Sequence, residues 1–218
     1  MTPRKQLQDK QTLLFIGDSI TDCGRSDHSK PLGNGYVRFV RDLLIIRQPE
    51  KHINIINRGI SGNTVVDLRS RWHEDVLQHA PEWLSVKIGI NDLNRHLGGQ
   101  VPSFPDPAGF REIYDQLLSL TRKTLPETEI LLIAPFLITR DMVPDSNRRK
   151  SLDLLEKYLA AVKDLAEKYK TRFLNLHPIF QERIKHHHPD VYCPEPVHPN
   201  WTGHLLIAED VYRVLTLP

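Results

Sequence analysis

Five short apolar runs alternate with longer amphipathic stretches, and this alternation limits the fold more than any other feature of the chain. The runs are residues 12–17 (TLLFIG), 53–57 (INIIN), 83–89 (WLSVKIG), 129–134 (EILLIA) and the weaker 172–176 (RFLNL). Their length and their lack of polar alternation predict strands buried on both faces. Between them, apolar residues recur at helical spacing. One stripe is Tyr36, Phe39, Val40, Leu43 and Leu44; a second is Val65, Leu68, Trp72, Val76 and Leu77. Phe110, Ile113, Leu117, Leu120 and Thr121 form a third, and Leu152, Leu155, Leu159, Val162 and Leu165 a fourth. Leu205, Ala208, Val211 and Val214 close the chain. Strand and helix in turn imply βαβ crossovers and a parallel sheet covered on both faces. The expected fold is a three-layer α/β/α, flavodoxin-like arrangement with strand order 2-1-3-4-5.

Size and charge narrow the partners. The 218 residues read as a single domain spanning 1–218, without internal repeats. Lys and Arg number 29 against 27 Asp and Glu, so the net charge of +2 offers no footprint for nucleic acid or an anionic membrane. No apolar run approaches the roughly 20 residues of a membrane span, and the opening MTPRKQLQDKQ lacks the apolar core of a secretory signal. The expectation is a cytoplasmic protein with reduced thiols. Cys23 and Cys193 are the only cysteines, which argues against a disulfide framework and a cysteine zinc site. Residues 98–109 (GGQVPSFPDPAG) and 189–199 are turn-rich connections of the kind that shape sites.

Open parallel sheets bind ligands beyond the carboxyl ends of their strands. There the chain carries GDSIT at 17–21, NRGISGN at 57–63, GIND at 89–92 and, past a short helix, EPVHP at 195–199. Together these tips supply a hydroxyl, small residues that let backbone approach a ligand, amides and an imidazole. Acyl transfer needs that set: a nucleophile, a base and donors for an oxyanion.

The same residues carry a resemblance. GDSIT, GISGNT (59–64), GIND and VHP (197–199) resemble, in order, four blocks of the SGNH or GDSL esterase and lipase superfamily. IGDSITDCGR (16–25), LGNGYV (32–37), NRGISGNT (57–64), DLRSRW (67–72) and HPNWTGH (198–204) are most similar to the subgroup containing intracellular bacterial acetylxylan esterases. The resemblance implies Ser19 as nucleophile and His198 as base, with the Ser19 and Gly62 N–H groups and the Asn91 side-chain amide as oxyanion donors. It implies a small acyl ester as substrate, an acetylated sugar such as a xylo-oligosaccharide, and no metal or organic cofactor. The family's acid is typically an Asp three residues before the histidine; here that position is Glu195, with Asp190 a distant substitute. A Ser-His dyad is the alternative.

Plainer roles stand beside these. Ser19 suits a turn or cap, Gly62–Asn63 a turn, Asn91–Asp92 a cap and His198 a loop. Arg95, Trp72 and Tyr192 are candidate substrate contacts, with Trp201 flanking the same loop; Trp72 also fits the buried face of its helix. The run His186–His188 reads as the positively charged end of a helix, His204 as packing or capping, and Cys23 as a small buried residue. Two other functions stay open: a broader carboxylesterase, thioesterase or lysophospholipase, and a non-catalytic binding protein with a weakened acid position. A homo-oligomer stays open as well.

Overall fold

The computed structural model describes residues 5–99, 105–140, 143 and 146–217. Five parallel strands form one sheet in the order β2-β1-β3-β4-β5: β1 Thr12–Gly17, β2 Asn54–Gly59, β3 Trp83–Lys87, β4 Glu129–Ile133 and β5 Arg172–Leu174. The strand order is the expected one. The runs themselves shift slightly. β2 continues two residues further than its apolar pattern, because the ladder to β1 extends to Gly17 opposite Gly59. β3 and β5 stop two residues early, where the chain turns into a helix.

Among the described residues eight α-helices connect and cover the strands: α1 Ser19–Asp22, α2 Tyr36–Arg47, α3 Val65–Asp75, α4 Ile90–Leu97, α5 Pro107–Thr124, α6 Asn147–Lys168, α7 Leu176–Arg183 and α8 Trp201–Thr216. Alternate strand residues feed two cores. Leu14, Ile16, Leu84, Val86 and Leu132 pack with α3, α5 and α6 on one face. Leu13, Phe15, Trp83, Leu131 and Ile133 pack with α2, α7 and α8 on the other. Among the described residues no helix is long and apolar enough to cross a membrane.

Two sequence readings need correction. Leu120 and Leu205 are 43% and 46% exposed, because the buried stripes of α5 and α8 run instead through Tyr114 and Leu118 and through Ile207 and Leu215. His186–His188 lie beyond α7, which ends at Arg183. There His186 faces Glu182, His187 packs edge-on against Tyr192, and His188 sits beside Asp190. The connection at 98–109 falls partly outside the described residues; its end is visible as Asp106, whose side chain caps α5.

Candidate active site

The carboxyl ends of β1, β2 and β3 and the loop before α8 meet at one edge of the sheet. Ser19 opens α1, a single turn that begins at the Asp18 cap and stops at Cys23, a left-handed residue at φ 43°. This single turn is too short to carry a full helix dipole. What fixes it is contact. A Cβ on Gly17 would stand 2.2 Å from the Lys87 carbonyl oxygen, and one on Gly59 would stand 2.2 Å from the Asp22 nitrogen. Both positions require glycine, because the colliding atoms are backbone. Asn57 adds a strap from β2, donating to the carbonyls of Thr21 (2.7 Å) and Leu32 (2.8 Å).

Ser19 Oγ lies 2.9 Å from His198 Nε2. The other ring nitrogen, Nδ1, faces Glu195 Oε1. The same carboxylate accepts from the backbone N–H of His198 at 2.7 Å and of Val197 at 3.0 Å. The longer glutamate side chain therefore folds back over its own loop and still reaches the imidazole. Asp190 does not substitute for it; its side chain is exposed and lies 3.4 Å from His188. Cys193 steadies the loop, its thiol donating to the Glu195 carbonyl at 2.6 Å, and burial pushes that thiol up to about 12.

The facing wall is residues 60–64. Asp22 accepts from Ser61 N–H (3.1 Å) and Ser61 Oγ (2.7 Å). Arg95 donates to the Gly62 carbonyl at 3.0 Å, and Asn91 Nδ2 to the Asn63 carbonyl at 2.9 Å. Arg71 bonds the Asn63 side chain (2.8 Å), the Arg58 carbonyl (2.7 Å) and the Gly17 carbonyl (3.2 Å), so one guanidinium ties this wall to β1 and β2. Gly62 itself is held at φ +82°. The peptide N–H groups of Ser19 and Gly62 have no intramolecular acceptor among the described residues. One amide hydrogen of Asn91 remains as well, since an amide carries two. A nucleophile, a base with an oriented tautomer and donors at Ser19, Gly62 and Asn91 form a set able to attack an ester carbonyl and receive the charge that develops on its oxygen.

Trp72 takes no part. It is buried in α3, with its indole N–H on Thr121 Oγ1 at 3.0 Å, so the reading of Trp72 as a substrate contact is wrong. Tyr192 is likewise packed into the core against Phe180 and His187 and offers no open face. Arg95 does border the site, where it holds the Gly62 peptide. Trp201, 73% exposed, stands at the start of α8.

Cys23 and His204 resemble a second nucleophile and base but cannot act as one. The two approach to 3.5 Å, yet His204 Nδ1 already accepts from Tyr36 N–H, which leaves the ring proton on Nε2. Burial also pulls His204 down to about 4. The Cys23 thiol donates to Asn34 Oδ1 at 3.0 Å and is itself raised by burial.

Sequence reasoning passed over Asp18, Asp22, Arg71 and Lys87. The signal for Lys87 was present: a lysine inside a run otherwise buried on both faces.

Residues 15–206 match the model of the GDSL-like lipase/acylhydrolase family. The chain belongs to that family. It is 38% identical to an acetylxylan esterase of Geobacillus stearothermophilus over 210 residues, 93% of each chain. Among solved structures, Axe2, an acetylxylan esterase from Geobacillus stearothermophilus, superposes with a TM-score of 0.84 at 33% identity, covering 98% of both chains. LAE5, an alpha/beta hydrolase from the metagenome of Lake Arreo, Spain, gives a TM-score of 0.84 at 28% identity over 96% of each. The chain is a carboxylic ester hydrolase.

Proposed function

We propose that this esterase removes acetyl groups from small carbohydrates, acetylated xylo-oligosaccharides foremost, through a covalent acyl-enzyme. The observation that carries the reading is the continuous chain Ser19–His198–Glu195. Ser19 Oγ attacks the acetyl carbonyl carbon while His198 Nε2 takes its proton. Glu195 stabilises the imidazolium and fixes its tautomer. The carbonyl oxygen, now negative, is received by the N–H groups of Ser19 and Gly62 and by Asn91 Nδ2. Collapse expels the sugar oxygen, which takes the proton from His198. Water then repeats the sequence on the acetyl-serine, with His198 as base, and releases acetate. Every step is performed by side chains and backbone, so the reaction calls for no metal or organic cofactor.

The substrate class is supported by the 38% identical acetylxylan esterase and by the open setting of the site. The His198 and Glu195 side chains are 57% and 47% exposed, which suits a polar sugar leaving group still in contact with water. The two free thiols fit a reducing compartment such as the cytoplasm. The engaged Glu195 removes the motive for the non-catalytic alternative.

The decisive experiment measures acetate release from defined acetylated xylo-oligosaccharides beside p-nitrophenyl acetate, p-nitrophenyl octanoate and an acyl thioester. Acetyl esters should be preferred over octanoyl by about tenfold or more. Comparable rates on octanoyl or thioester substrates would point to a broad carboxylesterase or thioesterase. Ser19→Ala should abolish turnover.

A further inference from the structure

Behind the serine lies a buried ion pair that the reaction scheme does not use. Lys87 ends β3 opposite Gly17 of β1, and its Nζ lies 3.0 and 3.3 Å from the two carboxylate oxygens of Asp18. The side chains are 1% and 0% exposed. Lys87 Nζ also stands 5.2 Å from the centre of the Phe136 ring. Asp18 meanwhile accepts from Ile20 N–H at 3.1 Å, capping the turn that presents Ser19.

As a means of stabilising the fold this arrangement is poor. Burying two ions is costly, and an apolar pair of similar volume commonly does as well or better. Capping does not require it either, since a neutral serine, threonine or asparagine caps a helix without a counter-ion. The location is more informative. Asp18 immediately precedes the Ser19 N–H. A second buried carboxylate, Asp92, immediately follows Asn91; its Oδ1 accepts from Val65 N–H at 3.0 Å, and its Oδ2 has no partner. Two of the three proposed oxyanion donors thus adjoin buried carboxylates, and a bare negative charge at either would oppose the charge the reaction creates. The charged and titratable groups within electrostatic reach of Lys87 are Asp18 from the β1–α1 turn, Asp92 from α4 and His204 from α8; His204 in turn feels His198. Lys87 is the cation among them.

We propose that Lys87 is a positioning residue for ester cleavage: its ammonium holds Asp18, and through it the Ser19 turn, and cancels carboxylate charge beside the oxyanion donors. The proposal rests on Ser19 as the nucleophile.

Lys87→Met keeps the unbranched apolar stem as far as Cε and removes the charged nitrogen. Its kcat on p-nitrophenyl acetate should fall about 10–100-fold with KM within about twofold, because the loss concerns the transition state. The acid limb of kcat/KM should move to higher pH, since the uncompensated field favours the proton on His198. Adding Asp18→Asn, which removes the negative charge and keeps a cap acceptor, should return the limb to its original position and recover most of kcat. Asp18→Asn alone leaves the ammonium unpaired and should move the limb to lower pH; it serves as the test where Lys87→Met fails to fold. A folded Lys87→Met enzyme with parental kcat and an unmoved limb overturns the proposal, as does an unmoved limb in Asp18→Asn. Turnover that survives Ser19→Ala overturns the nucleophile assignment instead.

Discussion

At the scale of single residues, Glu195 shows how a site absorbs a change from its family's pattern. The extra methylene is taken up by bonding the carboxylate to the N–H groups of Val197 and His198, so one oxygen stays against the imidazole. Glu195→Gln keeps that shape but removes the charge that stabilises the imidazolium. It should lower kcat on p-nitrophenyl acetate about 10²–10⁴-fold while KM changes little; a near-parental kcat would mean that a dyad suffices. Glu195 was suggested only by the family resemblance, which places an acid three residues before the histidine. Asp92 was not legible, because the N–H it accepts from belongs to Val65, distant in sequence. Its consequence is a pH effect on stability. Burial pushes the Asp92 carboxyl up to about 7, whereas an unfolded chain releases that proton near an ordinary carboxylate value of about 4. Between those values the folded state holds a proton that the unfolded state has lost. The associated stability is complete below about pH 4 and disappears as pH rises through about 7. Asp92→Asn keeps the acceptor for Val65 and cannot ionise. Its stability relative to the parent should grow across that window and level off above it, by about 4 kcal/mol at most. Urea titrations at several pH values measure the difference; a flat difference from pH 4 to 8 would refute the assignment.

At the scale of elements, the helices were legible where burial repeats and obscure where a single turn is fixed by contacts between distant segments. α3 and α6 follow their apolar stripes, since helical spacing directly predicts which side is buried. α1 and α4 carry Ser19 and Asn91 and escaped the stripe pattern. α1 is four residues long, and α4 opens with the polar residues of the site itself. Trp72 illustrates the ambiguity that remains when a stripe is read correctly but a residue within it also suits binding. Trp72→Phe removes only the bond to Thr121 and part of the packing. Thermal or chemical denaturation should show a loss of about 1–2 kcal/mol, with kcat and KM within about twofold of the parent. A raised KM for xylo-oligosaccharides at parental stability would restore the substrate role. The junction of α1 with β2 should be far less forgiving. Gly59→Ala places a methyl against Asp22 backbone that has no room to yield, and should cost about 3 kcal/mol or more.

At the scale of the molecule, the layers follow from the sequence because burial on both faces of five strands leaves few arrangements, whereas the electrostatics of the site follow only from the assembled sheet edge. Arg58, Arg71 and Arg95 all border that edge and would look like an anion site in a list of residues. In the fold each has an acid nearby: Arg71 pairs with Asp75 at 2.7 Å, Arg58 with Asp75 at 3.6 Å and Arg95 approaches Asp67 at 4.0 Å. With a net charge of +2 over the whole chain, the global field offers an anion little attraction. A neutral acetylated sugar should therefore meet the site by unsteered diffusion. Its kcat/KM should change by less than about twofold between 20 and 500 mM NaCl, because added salt has little attraction to screen. An anionic acyl thioester or lysophospholipid recognised through those arginines would behave otherwise, losing about tenfold or more over the same range. Measuring both substrate types across the salt series separates the readings without presupposing the sugar. A steep salt dependence on the better substrate would show that the arginines leave their carboxylates to bind it, and would move the enzyme from neutral carbohydrate esters to charged acyl carriers.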